Sequence, residues 1–268
     1  MIRASAPAKI NLALVVGPKR GDGLHEVATV MQRVELADTL SLEPAEGLEV
    51  VGFAGDTIVK RALELVAERA GVTPAWRVRI DKKIPVAAGL GGGSSDAATA
   101  LRLANEHLGA PLRDHDLHEI ASSLGADVPF FLAPGAQLAT GSGRDLEPLD
   151  LPRDYEVLIL LPDGEEKSAT ADIYARFDGA EGFAARRDRI LEIVGTGRSA
   201  DLAALPPNDL ASSPLSARLV ELGAIRADVS GAGPSVFGLF RSRSDLEAAA
   251  EALSSAGRVW LTKPAWYV

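Results

Sequence analysis

Twelve consecutive residues carry the densest chemistry in this chain: Pro85-Val86-Ala87-Ala88-Gly89-Leu90-Gly91-Gly92-Gly93-Ser94-Ser95-Asp96. Glycines at 89, 91, 92 and 93 precede two serines and then Ala97, Ala98, Ala100, Leu101, Ala104 and Leu108 at helical spacing. Glycine admits positive φ and lets a main chain come within hydrogen-bonding distance of a ligand. The first N–H groups of a helix lack internal partners, and the helix dipole adds partial positive charge there. A phosphate chain is the natural occupant of such a turn. A plain turn whose serines cap a helix is the bland alternative, but three successive glycines before a helix are entropically costly when nothing approaches them. Ser94 and Ser95 are each placed to cap the helix, bond a phosphate oxygen or reach a Mg²⁺ ion. Asp96 would repel phosphate unless it faces away or helps to hold a cation. The loop lacks the lysine of a P-loop, and Ser94 stands where the last glycine of a dinucleotide fingerprint belongs. Protein-kinase signatures are absent too.

Elements on both sides of this loop must position it. Ile2, Ala4, Ala6, Ala8, Ile10, Leu12, Leu14 and Val16 share one parity, which predicts a strand with Lys9 and Asn11 together on the other face. A turn-rich stretch at 17–23 leads to a second alternating run with Val30, Val34, Leu36, Leu40 and Leu42 on one side. Helices are expected over 57–70 and 115–124, with a strand over 76–81. Gly, Pro and Asp cluster over 141–156, which places a domain boundary near 150 and gives domains 1–150 and 151–268. The second half reads as strand 156–162, helices within 168–222, strands 225–230 and 234–240, helix 244–255 and strand 258–263. Sheet and helices in each half make an α+β chain.

Composition narrows the function. The 268 residues hold Lys+Arg 28 and Asp+Glu 37, a net charge of −9, with hydrophobic residues at 47%. That is globular composition with room for a sizeable core. So acidic a chain is poorly suited to nucleic acid or anionic lipid. The absence of cysteine excludes disulfides, thiolate chemistry and Cys-bound zinc. The start lacks a signal-peptide pattern, and no stretch approaches the ~20 apolar residues of a membrane span. A cytoplasmic protein, monomeric or weakly dimeric, is expected. His115 and His118, three apart on an expected helix, read as a solvated face rather than a metal site. Trp260, Trp266 and Tyr267 read as packing residues.

The loop resembles the Pro-x-x-x-Gly-Leu-Gly-x-x-Ser-Ser signature of the GHMP kinases, the superfamily of galactokinase, homoserine kinase, mevalonate kinase and phosphomevalonate kinase. Further stretches narrow the resemblance to the 4-diphosphocytidyl-2-C-methyl-D-erythritol kinase family within it. They are Pro7-Ala8-Lys9-Ile10-Asn11-Leu12, Asp22-Gly23-Leu24-His25-Glu26-Val27, Met31-Gln32 with Leu36-Ala37-Asp38, Gly125-Ala126-Asp127-Val128-Pro129-Phe130-Phe131, Asn208-Asp209-Leu210, and Ser230-Gly231-Ala232-Gly233-Pro234-Ser235-Val236-Phe237.

The resemblance implies a β-rich N-terminal α/β domain, a ferredoxin-like C-terminal domain and an active site between them. It implies phosphoryl transfer from ATP, with Mg²⁺, to a small cytidylyl sugar alcohol in non-mevalonate isoprenoid synthesis. Another small-molecule kinase of the superfamily, of homoserine or mevalonate type, and a non-catalytic sensor on the same fold are the alternatives. The implied catalytic pair is Lys9 and Asp127. Asp127 follows a helix terminator and precedes an apolar run, so it is expected to be partly desolvated and kept ionised by a nearby cation. Residues 85–95 would hold ATP, with Ser95 the candidate Mg²⁺ ligand. Thr57 would border the adenine in place of the family's usual Asn. Asn11, His25 and Tyr174 would meet the substrate, with His25 reading the cytosine. Leu24 replaces the family's usual Tyr, which removes one aromatic from the expected stack.

Overall fold

The computed structural model describes residues 1–53, 58–164, 170–179 and 181–266, with the main chain alone at Ala171 and Thr170. Two long strands, β1 (Ile2–Lys19) and β2 (His25–Pro44), form an antiparallel ribbon. Along β2 this ribbon meets β4 (Trp76–Asp81), which pairs with β3 (Glu49–Val51), and further on β5 (Ala136–Thr140), which pairs with β6 (Asp145–Leu149). Three helices accompany this sheet: α1 (Ile58–Ala70), α2 (Gly92–His107) and α3 (Asp114–Leu124). Leu63 and Val66 of α1 and Leu101 and Ala104 of α2 pack with Leu40, Leu42, Val78 and Ile80 of the sheet.

The second sheet has the order β10 (Gly257–Thr262), β7 (Glu156–Pro162), β9 (Val236–Phe240), β8 (Arg226–Val229), antiparallel throughout. Helices α4 (Thr170–Arg176), α5 (Phe183–Val194) and α6 (Pro214–Glu221) lie between β7 and β8 in the chain, and α7 (Arg243–Ala252) between β9 and β10. Numbered within this half the strand order is 4-1-3-2, the ferredoxin-like arrangement expected from the sequence. One face of the sheet buries Leu158, Leu160, Val236 and Phe240 beneath Leu219 of α6 and Leu246 of α7.

The other face does not meet solvent. Val157, Ile159, Phe237 and Leu239 pack directly on Ile10, Leu12, Ala13 and Val15 of β1, so a single core crosses between the sheets. Bonds between side chains and the main chain reinforce the seam: Arg226 Nε donates to the Leu12 carbonyl at 2.7 Å, and Leu36 N donates to Thr262 Oγ1 at 3.0 Å. Trp260 and Trp266 pack against this core, as expected, while Tyr267 lies outside the described residues.

The strict parity read from β1 fails midway. Register shifts interrupt the ribbon between Pro7 and Lys9, between Asn11 and Ala13, and between Val16 and Lys19. A bulge inserts one residue and exchanges the faces beyond it. Ala13 and Val15 therefore join Ile10 and Leu12 in the shared core, whereas Leu14 and Val16 turn to the opposite side, against Tyr174 and Phe177. On β2, Val30 and Val34 serve the shared core while Leu40 and Leu42 serve the helical one. The ribbon spans two cores, which no single alternation can describe.

Arg33 of β2 is wholly buried. Its guanidinium donates to the carbonyls of Gly135 (2.9 Å) and Phe130 and lies 4.5 Å from the Phe130 ring centre. Burial, with Arg102 nearby, pulls its pKa down to about 9. These bonds pin the short 3-10 turn Pro129–Leu132 just after Asp127. Arg33→Ala would take the guanidinium donor from the Gly135 carbonyl, leave the Phe130 carbonyl to Gln137 Nε2 alone and open a cavity. A loss of about 3 kcal/mol is expected, read as a lower urea midpoint at unchanged m-value.

Candidate active site

The glycine loop enters α2 through Gly91, whose φ of 70° is left-handed, and the helix begins at Gly92. It therefore starts earlier than a serine cap would require. Ser94 and Ser95 sit inside the first turns, and no side chain caps this end. Gly89, at φ 80°, packs against the main chain of the β8–β9 turn: a Cβ there would collide with the Ser230 carbonyl. The loop is stitched into place from both sheets. Lys9 N donates to the Leu90 carbonyl (2.9 Å), Ser235 N to the Ala88 carbonyl (3.2 Å) and Ser230 Oγ to the Gly89 carbonyl (3.0 Å). The turn at Gly231 to Gly233 abuts the loop. Asn208 Nδ2 holds it through the carbonyls of Val229 (2.9 Å) and Gly231 (2.6 Å), which gives the Asn208-Asp209-Leu210 stretch a structural role the sequence reading left undefined.

The loop forms one wall of a cavity of about 390 Å³. Every residue from Pro85 to Ser94 lines it, together with Lys9, Asn11 and Asp127. Ser95 does not. It is fully buried, with its Oγ sealed from solvent and without a partner, so the structure does not bring this expected Mg²⁺ ligand to the cavity. Thr57 lies outside the described residues.

Lys9 and Asp127, 118 positions apart in the chain, meet at 3.4 Å from Nζ to Oδ2. Asp127 is half-buried and Lys9 more deeply so. The Asp127 side chain is 40% exposed and Lys9 only 5%, so the lysine is the desolvated member. Its ammonium also donates to Asn11 Oδ1 (2.5 Å), while Asn11 Nδ2 donates to Thr29 Oγ1 (2.8 Å) and Thr29 donates onward to the Ala13 carbonyl (2.7 Å). This chain fixes the amide's orientation and aims an oxygen at Lys9. The Asn11–Ala13 bulge lies within it.

A second cavity of about 430 Å³ adjoins the first, sharing Val27, Ala126, Ser142 and Tyr174 with it. Lys19, Gly23, Leu24, His25, Arg144 and Ala175 complete its lining. His25 is buried, with Nδ1 2.8 Å from the Gly17 carbonyl. With Nδ1 as the donor, Nε2 is left a free acceptor, and it has no partner. Tyr174 of α4 stands 6.0 Å from the imidazole at a 38° tilt, and Phe177 presents an edge to it at 5.8 Å. Burial, with Asp127 adding, pushes the Tyr174 phenol up to about 12, so it stays neutral. Leu24 is exposed and supplies no ring. Phe177 had no signal in the sequence, since its place beside His25 depends on how α4 docks.

The sequence also missed a charge cluster. Lys82 lies between two carboxylates, 2.5 Å from Asp38 and 2.8 Å from Asp96, and it lines the first cavity. Burial pulls its pKa down, but Asp96 and Asp38 outweigh that, and the net shift is upward. Asp96, the carboxylate at the helix end, therefore shares its cation with Asp38.

The GHMP kinases N terminal domain description matches residues 57–135, and the GHMP kinases C terminal description matches 213–259. The chain is 40% identical to a 4-diphosphocytidyl-2-C-methyl-D-erythritol kinase of Pelotomaculum thermopropionicum, covering 93% of this chain and 91% of that one. The figure is 38% for the Syntrophotalea carbinolica protein of the same name, with 93% of each chain covered. Among solved structures, a 4-(cytidine 5'-diphospho)-2C-methyl-D-erythritol kinase superposes with a TM-score of 0.83 at 33% identity, covering 98% of this chain and 99% of that one. A homoserine kinase of Cytophaga hutchinsonii reaches 0.80 at 18% identity, covering 99% and 95%, which is likeness of fold alone. Near-complete coverage at this identity, together with a glycine loop, a lysine–aspartate pair and a histidine pocket built from its own residues, makes this chain a member of the 4-diphosphocytidyl-2-C-methyl-D-erythritol kinase family.

Proposed function

We propose that the chain transfers the γ-phosphoryl group of ATP to the 2-hydroxyl of 4-diphosphocytidyl-2-C-methyl-D-erythritol, in the cytoplasm. The observation that carries this reading is the 3.4 Å Lys9–Asp127 contact on the wall of a cavity that the whole glycine loop also lines. The triphosphate lies along the main chain of residues 89–94, where α2 presents unpaired N–H groups and its positive dipole end. Cytosine enters the second cavity, against Tyr174 and with its donor edge toward His25 Nε2, while the sugar alcohol reaches back to Asp127.

Phosphoryl transfer needs positioning and charge neutralisation more than covalent chemistry. Lys9, desolvated and oriented by Asn11, stabilises negative charge on the moving group and holds the Asp127 carboxylate. Asp127 is far too weak a base to ionise an alcohol beforehand. It accepts the hydroxyl proton late, as the new P–O bond forms. Mg²⁺ binds commonly through one or two carboxylates and the nucleotide's phosphates. Ser95, sealed off the cavity, does not fit that role; Asp96 is the carboxylate besides Asp127 that lines the cavity. The ion would supply further neutralisation of phosphate charge.

Asp127→Asn and Lys9→Ala are each expected to lower kcat at least about a hundredfold while nucleotide binding persists, which steady-state kinetics with calorimetry would check. Near-wild-type turnover in either would remove the pair from the mechanism. His25→Ala should raise KM for the cytidylyl substrate about tenfold, the effect of one lost hydrogen bond, and leave KM for ATP unchanged. Offering homoserine, mevalonate and the cytidylyl alcohol side by side, with ATP and Mg²⁺, tests the reading as a whole. Phosphorylation of either of the first two in preference to the third would overturn it.

A further inference from the structure

Arg226 of β8 is buried and lines neither cavity. Its guanidinium makes four hydrogen bonds. Nε donates to the Leu12 carbonyl (2.7 Å), Nη1 to the Leu205 carbonyl (2.6 Å), and Nη2 to both the Pro206 carbonyl (2.8 Å) and Asp228 Oδ2 (3.2 Å). Burial lowers its pKa to about 10 against the pull of Asp228, so it stays charged at neutral pH. A buried cation costs desolvation that a packed apolar side chain would not. What sets this one apart is where its bonds lead.

Two routes run from it toward Lys9. The first follows β1, which among the described residues pairs only with β2. The bulge leaves Leu12 with no residue opposite, between Asn11 paired with Met31 and Ala13 paired with Val30. The second half of the chain bonds this strand instead. Asn11 N donates to Ser230 Oγ (3.4 Å), Asp209 N to the Leu14 carbonyl (2.9 Å) and Val16 N to Asp209 Oδ2 (2.8 Å), with Arg226 on the Leu12 carbonyl between them. A bulge re-aims the side chains beside it, and Arg226 fixes this one at the residue after Asn11. The second route passes through Asp228, whose carboxylate also accepts from Asn208 N (2.9 Å) and Val229 N (2.8 Å). Asn208 Nδ2 in turn holds the Gly231 carbonyl (2.6 Å). Gly231 lies close to the pair: a Cβ there would sit 3.3 Å from Asn11 Oδ1 and 3.4 Å from Lys9 Nζ.

We propose that Arg226 is a positioning residue for phosphoryl transfer. Acting through Leu12 on one side and the Gly231 turn on the other, it holds the Asn11 amide where it orients Lys9 against Asp127. The inference rests on the reading that Lys9 and Asp127 carry out the transfer. The residue type fits the task, since acceptors from β1, from residues 205–206 and from β8 surround one side chain. A planar fork of five donors can serve them together, whereas the single nitrogen of a lysine cannot span them all. A displacement of about 1 Å at such a support can cost on the order of a hundredfold in rate.

Steady-state kinetics of Arg226→Lys and Arg226→Met with ATP, Mg²⁺ and the cytidylyl alcohol test the proposal, with urea unfolding giving the folded fraction of each. Both variants should lower kcat at least about tenfold, with KM for ATP near the wild-type value. Should Arg226→Met fail to fold, Arg226→Lys, which keeps a charge beside Asp228, decides alone. The discriminating measurement is a double-mutant cycle with Asn11→Ala, which retains Lys9 and Asp127. If Arg226 works through the Asn11 amide, replacing it should cost little further kcat once that amide is gone. Wild-type kcat in the folded Arg226 variants, or losses that multiply in full in the double variant, overturn the proposal while leaving the catalytic pair in place. Full turnover by Lys9→Ala, or none of the cytidylyl alcohol by wild type, overturns the assignment of the pair, and this proposal with it.

Discussion

A lysine ammonium almost shut off from water is stable only among acceptors fixed in place for it. Lys9 meets that condition through Asn11 and Asp127, and much of the molecule serves the arrangement. Asn11 is oriented by Thr29 on the neighbouring strand, and Asp127 is delivered by the end of α3 and the turn that Arg33 anchors. The lysine's own main chain bonds to the glycine loop at Leu90. Strand, loop and turn are thereby locked in mutual register before any ligand arrives. Preorganisation of this kind spares the site reorganisation as charge moves.

The same logic explains the shape of the fold. The shared core between the sheets places the β8–β9 turn against the glycine loop, so Ser230 and Ser235 from the second half bond residues 88 and 89 of the first, while Asn208 braces the turn itself. Gly89 is a point of close approach, where a Cβ would collide with the Ser230 carbonyl, and Gly231 lies tightly against Gly89 and Asn11. The cavity is therefore a product of docking. Neither half encloses it alone, since its wall runs from Lys9 on β1 to Gly231 and Ala232 beyond β8.

An acidic protein that binds polyanions has to concentrate its positive charge locally. Here Lys9 and Lys82 face one cavity, each held by carboxylates, while Lys19 and Arg144 line the adjoining one. Elsewhere on the described surface several arginines pair with acids, as Arg69 does with Asp116 and Glu119, while Arg153 and Arg258 lie over Trp266 and Trp260. Net charge describes the exterior and says little about the field inside the site.

Much of this was legible along the chain, because it depends on local pattern. The glycine run before an alanine-rich helix, the amphipathic period of residues 58–70, the alternation of 76–81 and the strand and helix order of the second half all reflect interactions between residues a few positions apart. The motif stretches around Lys9, Asp127 and His25 added the identity of the pair and the pocket. What only the tertiary structure decided depends on distant segments meeting. Bulges in β1 moved Leu14 and Val16 to the site face, docking buried Lys9 and left Asp127 half-exposed, and packing sealed Ser95 away from the cavity. It also set Lys82 between Asp38 and Asp96 and Phe177 beside His25. Desolvation and ion pairing are properties of an environment assembled from remote residues, and sequence periodicity carries no record of that assembly.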